Sequence, residues 1–249
     1  MAFVLLFGIS FLAGIQNALA GGGSFLTFPA LMFTGLDARA ANITSTVALF
    51  PGQVTTGLAG RENVAGLPEV SFKALFLISL FGGIFGAILL LKTPVAIFEC
   101  LVPWLVLFAT LVFLWGSFFK KSPSTDKPSS SAKTMIAQFL ISIYGGYFGG
   151  GIGILMLAAL TIAGQAVRNA GATKNVLSGV MNASAVAIFL FSNDVAWMQA
   201  LVAGIASILG GQLGAIMLQR VNERLLRICI VCLGTFLTAG LFLRSYGVF

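Results

Sequence analysis

The chain has 249 residues, 58% hydrophobic and only 8% charged. Soluble globular domains carry roughly 25% charged residues and at most about half apolar ones, so this chain cannot cover a water-facing surface. With a mean hydropathy of +1.03, it reads as an all-α polytopic membrane protein lying in a lipid bilayer. Its 14 Lys and Arg against 7 Asp and Glu sit in gaps between apolar runs. A nucleic-acid binder gathers its cations on one polar face, so the basic excess reads as membrane topology, and no nucleic-acid partner is expected. The chain has no His, and Cys100, Cys229 and Cys232 are scattered through apolar runs. No haem, zinc or disulfide framework follows, and no cofactor is expected. The C-x-x-C of Cys229 and Cys232 reads as small packing residues on one helix face.

The first twenty residues end in Ala18-Leu19-Ala20, which resembles a small-residue cleavage site. No Lys or Arg precedes Arg39, so the segment lacks the basic start of a secretory signal and is read as mature structure. Spanning helices need about 20 apolar residues. Eight hydrophobic segments follow in chain order: 3–34 with a break, 41–60, 70–91, 95–119, 135–163 with a break, 172–191, 195–218 and 225–243. Between the fourth and fifth lies the hydrophilic stretch KKSPSTDKPSSSAK, Lys120 to Lys133, rich in linker residues and placed at the midpoint. It divides the chain into a first transmembrane repeat (1–119), a linker (120–133) and a second repeat (134–249).

An offset of 129 residues lays the halves on one another. Gly21-Gly22 falls on Gly150-Gly151, Gly35 on Gly164, Arg39 on Arg168, Thr44 on Thr173, Gln53 on Asn182 and Thr55 on Ser184. One residue of slippage later, GGIFGAILLLK from Gly82 lies on GGQLGAIMLQR from Gly210. Matched polar positions inside apolar helices are hard to obtain by chance, so the chain contains an internal duplication.

The first element of each repeat contains a glycine run, Gly21 to Gly23 and Gly149 to Gly151 with Gly153. As single broken helices, these elements give parallel repeats and split the Lys and Arg evenly, seven to a side. As hairpins that enter and leave by one face, they give inverted repeats. One side then holds Arg61, Lys73, the four linker lysines, Arg168, Lys174, Arg220, Arg224 and Arg227, eleven in all, against Arg39, Lys92 and Arg244. The positive-inside rule prefers the second arrangement and puts linker 120–133 in the cytoplasm.

Irregular backbone at membrane depth is tolerated where it is buried in protein or lines a cavity. Helices beginning at Gly22, Gly23 and Ser24 and at Gly151 and Gly153 offer N-terminal N–H groups near the midplane, a setting suited to an anion. The glycines around Gly82 and Gly210 have helical spacing and no polar company, so they read as close-packing contacts. The helix after each run carries a polar strip: Asn42, Thr44, Ser45, Thr46, Gln53 and Thr55 in one half, Thr173, Lys174, Asn175, Asn182 and Ser184 in the other. These hydroxyls and amides either glue helices together or line a pathway. The substrate-binding set is expected among Gly22, Gly23, Ser24, Asn42, Thr44, Thr46, Gln53, Gly151, Gly153, Lys174, Asn175, Asn182 and Ser184. Arg39 and Arg168 supply charge to an anion pathway, or else snorkel and set topology. Pro51-Gly52 is expected to loosen the helix beside Gln53. No carboxylate is deep enough for a coupling site, no P-loop is present, and no nucleophile–base pair or metal cluster points to an enzyme.

The stretch GIQNALAGGGSFLTFPALMFTGLDARAANITSTVALFPG, Gly14 to Gly52, resembles the signature of the sulfite exporter TauE/SafE family, also known as the 4-toluene sulfonate uptake permease family. Its glycine run, Pro29 and Asn-x-Thr helix start recur in degenerate form in the second half. There Ala158 replaces the proline, and Lys174-Asn175 replace Ser45-Thr46. The resemblance covers the full chain. It implies a secondary transporter, usually an exporter, of small sulfur-containing anions such as sulfite or an organosulfonate, in the inner membrane. A passive anion channel and a non-transporting scaffold subunit are the alternatives.

Overall fold

A computed structural model describes residues 1–19, 22–59, 61–115, 130–217 and 223–245. The described residues form ten α-helices: α1 (Ala2–Leu19), α2 (Ser24–Phe33), α3 (Ala38–Ala59), α4 (Phe72–Lys92), α5 (Val95–Leu114), α6 (Ser131–Tyr147), α7 (Ile152–Ile162), α8 (Val167–Phe189), α9 (Trp197–Met217) and α10 (Glu223–Ser245). Three of them, α4, α5 and α9, contain stretches long and apolar enough to cross a bilayer, and α1, α2 and α7 are shorter apolar helices. The expected linker lies outside the described residues up to position 129, as do the side chains of Arg168 and Cys229.

Local signals set the helix ends. Ser71 accepts from the Ala74 N–H at 3.2 Å to start α4. Asp37 accepts from the N–H groups of Arg39 and Ala40 to start α3, a use of short polar side chains at helix starts. α3 runs on through Pro51 as one helix.

Both glycine breaks reverse the chain. A Cβ on Gly23 would stand 2.8 Å from the Ala13 carbonyl and 3.1 Å from Asn17 Cβ. The chain has therefore doubled back, and α2 begins about 20 Å from the start of α1 at 1.5 Å per residue. Ile152 likewise lies 3.2 Å from the Cβ position of Gly145, so α7 returns along α6. With lengths of 10 and 11 residues, α2 and α7 each reach about half of a 30 Å hydrocarbon core.

The halves interleave. α1 packs parallel to α9, with Gly210 on Phe11 and Ile15 and Gly214 on Ile15 and Ala18. α4 packs parallel to α6, with Gly82 on Phe139 and Ser142 and Gly86 on Ile143 and Tyr147. These are the two glycine-spaced stretches, and their packing reading holds: backbone meets backbone where only hydrogen fits. Gln138 donates to Ser79 at 2.8 Å across the second seam. Helices α3 and α8 run antiparallel, since Gln53 meets Asn182 while Gly57 meets Asn175 and Val176.

Two clusters mark the ends of the bundle. At one, the Arg39 guanidinium donates to the Thr93 carbonyl at 3.1 Å and to Asp194 at 3.2 Å. At the other, Gln165 donates to the Ala65 carbonyl at 2.8 Å, Thr173 accepts from the Ala65 N–H at 3.1 Å, and Ser131 N–H donates to Glu69 at 3.0 Å. We refer to these as the Arg39 face and the Glu69 face.

Thr44 accepts from the Ala196 N–H, also at 3.1 Å, so the matched threonines Thr44 and Thr173 tether α3 and α8 to the opposite half in the same way. Thr173→Val strands the half-buried Ala65 N–H and is expected to lower stability by about 1–3 kcal/mol. Thermal unfolding in detergent checks this against Thr55→Val. That exposed threonine bonds only within its own helix, and its replacement should be near neutral.

Candidate functional site: a polar cavity at the two half-helix starts

The site begins with backbone. Gly22 and Gly151, 129 positions apart, adopt φ values of +84° and +74°, a left-handed conformation that glycine takes without steric cost. Each sits at the start of a half-helix, and neither N-cap (Gly23 for α2, Gly151 for α7) is satisfied by a side chain. The N–H groups of Phe25, Leu26 and Ile154 turn back onto the carbonyls of Gly22, Gly23 and Gly151, which leaves those of Ser24, Ile152 and Gly153 as the helix-start donors for whatever occupies the space beside them.

That space is a cavity of about 40 Å³ lined by both hairpins and by α3 and α8. Gly22 and Ser24 line it from the first hairpin, Gly149, Ile152 and Gly153 from the second, Gln53 from α3, and Lys174, Asn175 and Ser178 from α8. One water needs roughly 10–15 Å³ on this measure, so the cavity suits a ligand of a few heavy atoms. Lys174 is the charged group in the lining, and its Nζ lies 3.6 Å from where a Cβ on Gly153 would stand. Among the described residues no carboxylate forms an ion pair with it. The donors gathered here are an ammonium, amides, two serine hydroxyls and helix-start N–H groups. This chemistry fits an acceptor-rich, negatively charged group.

The structure brings together Gly22, Ser24, Gln53, Gly153, Lys174 and Asn175 of the expected set. Gly23 and Gly151 stand beside them as N-caps, packed on Ala13 and Ala109. Asn182, 3% exposed, reaches the site only through its hydrogen bond to Gln53.

The remaining members are engaged elsewhere. Asn42 donates to the Tyr147 carbonyl at 3.0 Å, Thr44 holds the Ala196 N–H, Thr46 donates to the Asn42 carbonyl, and Ser184 donates to the Met181 carbonyl. Arg39 is tied into its face by Thr93 and Asp194, away from the cavity. The Arg168 side chain lies outside the described residues.

The expected binding set omits Asn17 and Ser178, and also Gly149 and Ile152 of the second glycine run. Ser178 is one helical turn from Lys174, on the same face, but its counterpart at the repeat offset is Leu49, so matching the halves hid it. Asn17, a polar residue in an apolar run just before the glycines, carried a readable signal.

Apolar helices, three of them long enough to cross a bilayer, wrapped around a polar cavity are those of a multi-pass membrane protein. The chain belongs to the sulfite exporter TauE/SafE family, whose profile matches residues 6–241. It is accordingly a transporter-family protein and not an enzyme. It is 29% identical over 237 residues to a "Probable membrane transporter protein" of Haemophilus influenzae, covering 94% of this chain and 92% of that one. It is 26% identical over 245 residues to the "Probable membrane transporter protein YfcA" of Escherichia coli K12, covering 98% and 90%. Identity to the "Probable membrane transporter protein ORF9" of a Sinorhizobium species is 31% over 213 residues, covering 84% and 80%. No solved structure gives a significant match.

Proposed function

We propose that the protein is a secondary carrier, working as an exporter, of a small sulfur-containing oxyanion such as sulfite or a small organosulfonate. The anion binds in the cavity between the α2 and α7 starts, with Lys174 supplying the charge and Gln53, Asn175 and Ser178 supplying hydrogen bonds. The observation that carries this reading is the meeting, in one small cavity, of two uncapped half-helix starts with an unpaired lysine. Discontinuous helices whose N-termini face a midplane anion are a recurring device of carriers built from inverted repeats.

The repeats, 1–119 and 134–249, are read as inverted. Their counterpart helices α3 and α8 run antiparallel, and α1 on α9 has its counterpart in α6 on α4. Arg39 then shares one face with Lys92, while Arg61, Lys73, Lys133 and the linker share the other. The charge rule makes that second, Glu69 face cytoplasmic in an inner membrane.

A permanently open channel is disfavoured by the closed first half. The repeat counterparts of Lys174 and Asn175 are Ser45 and Thr46. Ser45 is 1% exposed and hydrogen-bonded to Thr27 at 2.5 Å, and Thr46 is bonded within its own helix.

Ligand-induced shifts of the unfolding temperature test the binding step, because a ligand that binds only the folded state stabilises it by mass action. Sulfite, thiosulfate or sulfoacetate is expected to raise the unfolding temperature of the purified protein, whereas equal concentrations of acetate or choline are not. Equal shifts with all anions would contradict a built oxyanion site.

A further inference from the structure

Gln53 and Asn182 occupy the same position in the two repeats and bond to each other across the α3–α8 contact. In this structure Asn182 Nδ2 donates and Gln53 Oε1 accepts. Two consequences follow from amide chemistry. As the acceptor, Gln53 keeps its own nitrogen for another partner, and it is Gln53 that lines the cavity while Asn182 does not. Asn182 Oδ1, in turn, is buried with no hydrogen-bond partner, and a buried acceptor left empty in this way is unfavourable.

The cavity is also one-sided. Its α8 wall, Lys174, Asn175 and Ser178, lies one to two turns before Asn182, toward the Glu69 face, whereas the counterparts Ser45, Thr46 and Leu49 do not line it. A bond between repeat counterparts can reverse its polarity without moving its partners apart, and the empty Oδ1 is the acceptor such a reversal requires.

We propose that Gln53 and Asn182 form an amide switch with two settings. In the setting seen here Asn182 donates, and the Gln53 nitrogen serves the anion arriving from the Glu69 face. In the other, Gln53 Nε2 donates to Asn182 Oδ1, and the Asn182 nitrogen serves an anion at a vestibule opened toward the Arg39 face. The two residues are thus binding groups for opposite sides of the membrane. This proposal rests on the carrier reading given above.

Half-saturation for labelled sulfite, measured separately in right-side-out and everted membrane vesicles, tests it. Gln53→Ala is expected to raise half-saturation about tenfold or more on the Glu69 face and less than about threefold on the other. Asn182→Ala is expected to do the reverse. The double exchange Gln53→Asn with Asn182→Gln is expected to restore saturation on both faces to near the wild-type values. Gln53→Met and Asn182→Leu keep side-chain volume and replace either alanine variant that fails to fold. Losses that are equal on both faces, or absent, would overturn the switch alone. Absence of saturable flux in the wild-type protein would overturn the carrier reading and the switch with it.

Discussion

Lys174→Met is expected to weaken sulfite binding about 10- to 100-fold while leaving the protein folded. The lysine is the charged group in the cavity lining and has no described carboxylate to neutralise it. Hydrogen bonds from charged donors contribute about 1.5–3 kcal/mol, and 1.4 kcal/mol is a factor of ten in affinity. Met has a similar length and belongs comfortably in an apolar helix, so removing the charge also removes a desolvated cation from membrane depth, and stability should hold or rise. Lys174→Arg should keep most of the affinity, because it retains a cation. Titration of the purified protein with sulfite, alongside an unfolding curve, separates loss of site from loss of fold. The same curve shape with a shifted midpoint of binding is the expected record. A lysine that merely snorkels would give unchanged binding.

The second large effect is expected at the helix seams. A Cβ on Gly210 would overlap the Phe11 carbonyl, and one on Gly86 would overlap the Ile143 carbonyl. Backbone cannot move aside as a flexible side chain can, so Gly210→Val and Gly86→Val should each cost about 3 kcal/mol, the upper end for overpacking, or more. Folded yield and unfolding temperature should collapse together with transport. Gly8→Ala is the control, since nothing stands within 4 Å of the added carbon; it should be silent. Separation of this class from Lys174 matters because glycines serve two purposes in this chain. At the seams they bring helices together, and at Gly22 and Gly151 they turn the chain.

Much of this architecture was legible in the residues. The broken first and fifth segments and the half-length arms after the glycine runs follow from hydropathy and glycine placement. Spacing alone separated seam glycines from hairpin glycines, because helical periodicity without polar neighbours is a packing pattern.

The polar strip was harder. Asn42, Thr44, Gln53 and Asn182 look alike as polar residues in an apolar helix, and only three-dimensional contacts divide them. Thr44 and Asn42 bond to the opposite half's backbone, whereas Gln53 faces the cavity. A polar side chain's partner lies on another helix, at a distance in sequence that no periodicity encodes. Ser178 escaped for a related reason: repeat matching finds what the halves share, and the α8 wall of the cavity is built from residues in which they differ.

The most direct test of the account is counterflow. Labelled sulfite is added outside liposomes holding the purified protein, either empty or preloaded with unlabelled sulfite, with empty liposomes as the baseline. A carrier that binds the anion in the α2–α7 cavity and exposes it alternately predicts saturable uptake that preloading accelerates and Lys174→Met weakens. Uptake that rises linearly with concentration and ignores preloading, or none above the baseline in folded protein, would contradict it.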